Sequence, residues 1–253
     1  MLFGWLSDKI GRKPIILGGC LLAALTYFPL FQALTAAANP ALAAAADRAP
    51  IIVTAAPGDC SFQFDPVGKA AFNSSCDIAK STFARAGLPY RNEAAAPGTL
   101  ASVRIGDTVL ASFDGHALSK TDLAASRAQW EAEAAAALAA AGYPQASDSA
   151  TVNRPAVVAI LALLMIYVAM VYGPIAAMLV EMFPAAIRYT SMSLPYHLGN
   201  GWFGGFLPTT AFAMVAASGD IYYGLWYPVA VAGATFVIGL FFIRETRNAD
   251  IHA

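Results

Sequence analysis

The stretch GWLSDKIGRK, residues 4–13, places one acid, two glycines and three bases directly ahead of a long apolar run. At helical spacing Gly4 and Asp8 share a face, so a neighbouring helix can approach at Gly4 while the carboxylate stays at the helix end. Gly11 permits a tight reversal before Arg12. One interpretation is an ordinary basic loop that sets topology. The other is a loop whose acid and guanidinium contact a partner helix.

The composition indicates a membrane protein. Of 253 residues, 58% are apolar and only 12% are charged, whereas ordinary soluble domains carry roughly 25% charged residues. The net charge of −1 gives no bulk field that would attract nucleic acid, so no nucleic-acid partner is expected. The lipid bilayer is the expected surrounding.

Four long charge-free intervals each exceed the roughly 20 residues that a helix needs to cross the hydrocarbon core. The opening residues MLFGWL have the character of the last turns of another apolar helix. The sequence therefore predicts an all-α membrane protein with the end of one helix and four transmembrane helices, near 15–37, 155–180, 192–217 and 222–243.

Basic residues in the short flanks predict the orientation, because such residues are enriched in cytoplasmic loops. With four spans all the basic flanks fall on one side, which places the C-terminus in the cytoplasm and the segment 39–153 on the opposite side. These bases are Lys9, Arg12, Lys13, Arg188, Arg244 and Arg247. The predicted domains are therefore 1–38, an extracytoplasmic insertion at 39–153, and 154–253.

The insertion 39–153 has the composition of a small α+β domain. We expect strands at 51–55 and 60–64, a hairpin that turns at Gly106 and Asp107, and two capped helices. The first helix follows a serine cap and ends at Gly87, and the second runs from Ser119 to Gly142.

Two of the three cysteines, Cys60 and Cys76, lie in this insertion. A disulfide is the favoured interpretation for an oxidising compartment, and two free thiols in a core are the alternative. A metal site is disfavoured, since only His116 lies near them in the sequence. Cys20, inside the first span, is expected to be a small packing residue.

The opening stretch resembles the signature loop of the major facilitator superfamily, G-x-x-x-D-x-x-G-R-[RK]. In that family the loop joins the second and third helices and recurs between the eighth and ninth. Four predicted spans follow the loop here, so the chain is similar to helices nine to twelve. The residues that carry the resemblance are Gly4, Asp8, Gly11, Arg12 and Lys13.

Residues 173–208 are similar to the metabolite:proton symporter branch, which includes carriers for α-ketoglutarate, shikimate, citrate and proline or betaine. The closing RETR at 244–247 resembles a P-E-T-[KR] ending, with Arg244 in place of proline. The matching residues are Glu181, Phe183, Pro184, Arg188, Ser191, Ser193, Tyr196 and Gly199.

Glu181 and Arg188 flank a predicted cytoplasmic turn that Pro184 interrupts. They can pair with each other or with residues of the N-terminal half that the resemblance implies. Pairs that break and form during transport would make them part of a gate. The alternative is a solvated turn with one charge of each sign.

The predicted third span carries polar side chains among glycines. His197 could relay a proton or contact an anionic substrate, although such a histidine is more often a hydrogen-bonded packing residue. We also expect Tyr196 and Asn200 to take part in transport. Close helix packing is expected at Gly199, Gly201, Gly204 and Gly205.

The resemblance implies the C-terminal part of a secondary transporter for a small organic solute, which would be a partial major-facilitator bundle in the inner membrane. The α+β insertion lies outside the family pattern. The resemblance also implies a proton as coupling ion, no other cofactor, and an N-terminal half as partner. A membrane-anchored binding or sensory domain is the alternative. An enzyme is not expected, because no H-E-x-x-H, G-x-S-x-G or paired intramembrane acids occur.

Overall fold

The computed structural model of the protein describes residues 2–146 and 149–248. In these ranges the chain forms α1 (Leu2–Ile10), α2 (Arg12–Ala38), α3 (Pro40–Arg48), β1 (Ile51–Ala55), α4 (Ser75–Arg85), β2 (Tyr90–Ala94), β3 (Ser102–Ile105), β4 (Thr108–Ala111), α5 (Lys120–Ala140), α6 (Arg154–Met182), α7 (Arg188–His197), α8 (Leu207–Ser218) and α9 (Trp226–Phe242).

These elements form two compact units. The first consists of Met1–Leu34, Arg154–Pro208 and Leu225–Ala253, and the second of Thr35–Asn153 and Thr209–Gly224. The sequence grouped residues 209–224 with the membrane helices, whereas the structure groups them with the insertion. The predicted cytoplasmic tail ends in residues 249–253, which lie outside the described residues, as does Met1.

Three described helices are long and apolar enough to cross a membrane: Arg12–Ala38, Arg154–Met182 and Tyr223–Phe242. They are apolar on all sides, which is typical of helices surrounded by lipid and other helices. The first two extend the predicted spans 15–37 and 155–180 by a few residues at their ends. Length and composition thus point to a membrane protein.

The predicted third span, 192–217, is not one regular helix. It consists of α7, a π-helical segment Leu198–Gly204, and α8. Pro195 and Pro208 lie on either side of the π-helical segment, and each lacks the backbone N–H that a regular helix needs there. Where the sequence predicted four spans, the described residues thus have three long apolar helices and one interrupted helical segment.

In the first unit, α2 packs closely against α6 and α9. A Cβ at Gly19 would lie 3.0 Å from Cβ of Met170, and one at Gly239 would lie 3.5 Å from Cγ of Leu17. Cys20, buried as expected, belongs to the apolar cluster at these contacts. Small residues let the helix backbones approach each other.

The second unit contains a four-stranded sheet with the order β2-β1-β3-β4. Strands β1 and β2 are parallel, and α4 connects them, while β3 and β4 pair antiparallel to their neighbours. Helices α4 and α5 contribute to one core with the sheet. Its largest buried side chains include Ile51, Val53, Ile78, Phe83, Val103 and Ile105.

The serine caps and the glycine turn predicted for this unit lie at the expected positions. Ser74 and Ser119 accept backbone N–H groups at the starts of α4 and α5. Gly106 turns the β3–β4 hairpin with a φ of +57°, so the hairpin prediction is confirmed. The predicted strand at 60–64 is wrong, because the Ser61 backbone N–H donates to Asp77 Oδ1 of α4 and not to a neighbouring strand. The Gln63 side chain donates to Asp77 O as well.

The second unit is completed by residues that follow much later in the chain. The Tyr90 hydroxyl donates to the Ala216 carbonyl, and the Tyr90 N–H donates to Gly219 O at 2.9 Å. Asn92 Nδ2 donates to Ser218 O at 2.8 Å. The edge strand β2 is therefore tied to the end of α8.

Candidate functional site

Gly11 forms the turn between α1 and α2. Its N–H donates to Ser7 O at 3.0 Å, and its φ of +110° lies in the left-handed region that favours glycine. A Cβ at this position would lie 2.8 Å from Cδ of Glu245. Both the backbone conformation and the neighbouring carboxylate thus require glycine here.

Arg12, the first residue of α2, has a relative exposure of only 8%. Its Nη2 lies 3.0 Å from Oε1 of Glu181, at the end of α6. Its Nη1 forms an ion pair with Asp8 and donates to Ser7 Oγ at 2.6 Å. The guanidinium therefore joins the end of α1 to the end of α6.

The segment after α9 completes this group. Thr246 Oγ1 donates to Oε2 of Glu181 at 2.7 Å. The Glu245 carboxylate accepts the backbone N–H of Arg12 at 2.8 Å and that of Lys13 at 3.0 Å. We call the six residues whose side chains take part in these contacts the arginine cluster: Ser7, Asp8, Arg12, Glu181, Glu245 and Thr246.

Glu245 caps the N-terminus of α2, where the first N–H groups have no partner within the helix. Its partial burial would raise the pKa of the carboxyl. Hydrogen bonds from the backbone N–H groups of Arg12, Arg247, Lys13 and Thr246 outweigh this effect, and they hold the pKa of Glu245 below its ordinary value. The carboxylate is thus stabilised in its ionised form.

Lys13 makes a second connection between α2 and α9. Its Nζ donates to Leu240 O at 2.9 Å and to Ile243 O at 2.8 Å. These carbonyls belong to the C-terminal end of α9, where a cation satisfies oxygens that lack helical partners. Arg247 adds a hydrogen bond to the Lys9 carbonyl at the end of α1.

Gly4 lies where α1 meets α6. A Cβ at Gly4 would lie 3.7 Å from Gly173 O, and a Cβ at Gly173 would lie 3.2 Å from the Gly4 nitrogen. The two glycines therefore allow the two backbones to approach closely. Gly173 was not among the predicted site residues.

For Glu181 and Arg188, which were predicted to pair with each other or with partners on another half, the structure gives separate contacts. Glu181 bonds to Arg12 and Thr246, so its partners lie within this chain. Arg188 begins α7, and its Nε donates to Phe183 O at 3.1 Å across the turn.

Tyr196, His197 and Asn200 lie at the junction of α7 and the π-helical segment. The rings of Tyr196 and His197 meet edge to face at 6.2 Å, and Asn200 Nδ2 donates to Tyr196 O at 3.1 Å. All three residues are exposed in the described structure.

The predicted glycine packing face is not used within the described part of the chain. A Cβ at Gly199 or Gly201 would meet no described atom within 4 Å. At Gly204 and Gly205 the nearest atoms belong to the preceding turn of the same segment. These positions therefore make no close contact with another described helix.

A cavity of about 260 Å³ lies between α6 and this junction. It is lined by Tyr172, Ile175, Leu179, Pro195, Tyr196, Gly199 and Asn200. Aromatic and aliphatic walls with a few polar groups are typical of sites for small molecules.

Comparison with known proteins gives one family match, over part of the chain. Residues 132–252 match the family model described as sugar (and other) transporter. No curated protein and no solved structure matches the chain. The matched region begins within α5, includes α6 to α9 and covers just under half of the chain, and it supports a transporter of the major facilitator type.

The match covers only part of the arginine cluster. Glu181, Glu245 and Thr246 lie inside the matched range, whereas Ser7, Asp8 and Arg12 precede it. The signature-like loop at residues 4–13 is thus an independent observation, joined to the matched region by hydrogen bonds and ion pairs.

Sequence reasoning missed the roles of Ser7, Glu245 and Thr246. The signal was the RETR ending, whose acid and hydroxyl follow directly after an apolar helix. Such a group at a helix end can cap another helix, but the sequence does not say which one.

Proposed function

We propose that the chain is part of a secondary active transporter that moves a small organic solute across the inner membrane by proton symport. The solute would be an organic acid or a betaine-like metabolite. The observation that carries the proposal is the arginine cluster, which links the ends of α1, α2, α6 and α9 through one guanidinium and one capping carboxylate.

The cluster has the properties of a gate. Its contacts join four helix ends, and each contact can be made in one conformation and lost in another. A change between inward-open and outward-open forms is then governed by the free energy that these contacts contribute to one form only. The low exposure of Arg12 gives its ion pair with Glu181 more weight than a surface pair has.

In this proposal α6 and the π-helical segment contribute one wall of the solute pathway. The aromatic cavity between them and the short π-helical stretch support this assignment, since π-helical turns occur frequently at functional sites. The open faces of Gly199 and Gly201 would then meet the other six-helix half of the transporter.

Solute uptake tests the proposal directly. The complete transporter that contains this chain is reconstituted in vesicles, and uptake of α-ketoglutarate, citrate, betaine and glucose is measured with and without an imposed proton gradient. We expect gradient-dependent uptake of an organic acid or betaine that a protonophore abolishes. The absence of uptake of all four solutes in folded, oriented protein would contradict the proposal.

The proposed orientation is tested by cysteine labelling in intact cells with an impermeant reagent. Ala124 is exposed on α5, so Ala124→Cys should label from outside. Asn248→Cys, the matched control beyond α9, should label only after the membrane is opened. The reverse pattern would place the insertion in the cytoplasm.

The alternative function is that of a membrane-anchored binding or sensory domain. It predicts that the insertion keeps its binding or sensory activity when the arginine cluster is disrupted. Uptake by wild type, together with loss of uptake in Glu181→Gln at equal expression, would exclude this alternative.

A further inference from the structure

The second unit contains a cavity of about 420 Å³ at the carboxyl ends of the parallel strands β1 and β2. Ala55 ends β1, and Glu93 and Ala94 end β2; all three line the cavity. In open sheets with parallel strands, ligands bind in the crevice beyond these strand ends. The volume lies within the range of about 300–1,000 Å³ that is usual for small-molecule sites.

Lys80 of α4 supplies the positive charge in the cavity lining. Its side chain is half-buried, and burial lowers the pKa of the ammonium, an effect that the nearby Asp77 only partly opposes. Between residues 2–146 and 149–248, its Nζ forms no hydrogen bond or ion pair. No described carboxylate pairs directly with this ammonium, and an anion in the cavity would give it a direct partner.

Glu93, at the rim of the cavity, does not provide that counter-charge. Its Oε1 lies 3.9 Å from Arg104 Nη2, and its Oε2 accepts from Thr54 Oγ1 at 3.4 Å. The Glu93 side chain is 54% exposed. Its charge is thus balanced by Arg104 and water, while the charge of Lys80 remains available to a ligand.

Most of the remaining lining is apolar. Val53, Ala55 and Ala94 come from the sheet, and Pro57 and Phe62 come from the loop that follows β1. An anion with an apolar body would place its charge at Lys80 and its hydrocarbon against these side chains. One cation with mainly apolar walls fits a monocarboxylate better than a phosphate, which favours several donors.

The disulfide between Cys60 and Cys76 holds the two sides of the cavity together. Cys60 lies in the loop that lines the cavity, and Cys76 precedes Lys80 on α4 by four residues, which is about one helical turn. The Ser61 N–H also donates to Asp77 Oδ1 at 2.8 Å. The loop and the helix that carries Lys80 are therefore fixed relative to each other before a ligand binds, which lowers the entropic cost of binding.

We propose that the second unit binds a small carboxylate with an apolar body, with the carboxylate on Lys80 and the hydrocarbon against Phe62. This site is separate from the arginine cluster. It requires no transport, so its test is independent of the proposed function.

The test is calorimetric titration of the whole purified chain in detergent with benzoate, and with benzamide as the uncharged control. We expect wild type to bind benzoate at least about tenfold more tightly than benzamide, since hydrogen bonds to charged groups are the stronger ones. Lys80→Gln should weaken benzoate binding by about tenfold or more. Lys120→Gln, which removes an exposed lysine of α5 outside the lining, should leave it unchanged.

Glu93→Gln provides a second test with the opposite sign. Removing an acid at the rim should strengthen benzoate binding, whereas a site for a cation would lose affinity. The proposal is overturned if no benzoate binds, if Lys80→Gln binds it as well as wild type, or if Glu93→Gln weakens it. Equal competition by inorganic phosphate would also overturn it, because that result would indicate a simple anion site without an apolar subsite.

Discussion

Arg12 and Glu181 are 169 positions apart in the sequence, and their side chains meet with an Nη2–Oε1 distance of 3.0 Å. The two side chains are only 10% and 15% exposed. Water therefore has little access to either charge and would compensate poorly for a lost partner. The pair therefore couples the start of α2 to the end of α6.

Removal of either partner should destabilise the chain. We expect Arg12→Gln and Glu181→Gln each to lower the free energy of unfolding by about 3 kcal/mol, because each deprives a largely buried charge of one of its partners. The double variant should lose about 1–3 kcal/mol less than the sum of the two. Unfolding in detergent micelles measures these differences.

Lys9→Gln is the matched control for this cycle. Lys9 is exposed on α1, where its ammonium lies over the Trp5 ring at 4.3 Å. Its replacement should change stability by less than about 1 kcal/mol. Strict additivity of the two cluster variants would show that Arg12 and Glu181 do not interact.

The turn at Gly11 should tolerate no side chain. Gly11→Ala forces a non-glycine residue into a φ of +110° and places Cβ against the Glu245 carboxylate, so we expect a loss of about 1–3 kcal/mol. Gly233→Ala is the control, because Gly233 lies within α9 and a Cβ there meets nothing within 4 Å of the described chain. That change should be neutral or stabilising by up to about 1 kcal/mol.

The capping carboxylate of Glu245 should make stability depend on pH. Since its pKa is lowered in the folded chain, the ionised form stabilises the fold above its ordinary pKa of 4.5. This contribution is lost as the pH falls from there through the lowered pKa. The stability difference between wild type and Glu245→Gln should therefore be largest near neutral pH and shrink in acid.

Glu131→Gln, an exposed change on α5, is the control for this measurement. Melting temperatures of the three proteins between pH 7 and pH 3.5 give the comparison. A difference between wild type and Glu245→Gln that grows on acidification would contradict the capping role.

The proposed Asp8 gate is tested by uptake in the complete transporter. Asp8→Asn keeps the size of the side chain but removes its ion pair with Arg12. We expect uptake to fall several-fold at normal surface expression, because the side chain is 60% exposed and contributes little to folding itself. Unchanged uptake and unchanged accessibility of a reporter cysteine on each side would reduce residues 4–13 to a topology signal.

The disulfide should stabilise the second unit and should be found in protein from an oxidising compartment. The bridge spans a sequence separation of 16, and a loop of this size adds about 3 kcal/mol. Cys60→Ser with Cys76→Ser should lower the melting temperature and abolish its dependence on reductant. Cys20→Ala should keep that dependence, and mass spectrometry of non-reduced peptides should find Cys60 linked to Cys76.

Local signals in the sequence predicted much of the second unit. Serine caps, left-handed glycines and the turn at Gly106 act over four or five residues, so their effects can be recognised without knowing the fold. The stretch 60–64 alternates polar and apolar residues as a strand would. Its N–H at Ser61 nevertheless has a partner in Asp77, which is 16 residues away and cannot be foreseen from alternation.

The arginine cluster lay beyond sequence reasoning for the same physical reason. Asp8 and Arg12 are one turn apart and could be paired from spacing, but Glu181 and Glu245 reach Arg12 only through the packing of α6 and α9. In the third span, composition alone did not predict the local helix geometry. Its composition suits a membrane helix, while Pro195 and Pro208 determine where the regular hydrogen-bond pattern fails.

The bond between Tyr90 and Ala216 has a consequence for biosynthesis. The two residues are separated by 126 positions, and ribosomes add about 5–20 residues per second, so the Ala216 carbonyl is synthesised about 6–25 s after the tyrosine. During that interval β2 has its neighbour β1 on one side and no partner from the end of α8 on the other. The nascent insertion therefore keeps one sheet edge unpaired until α6, α7 and α8 have left the ribosome. Only then can β2 form its hydrogen bonds to the end of α8.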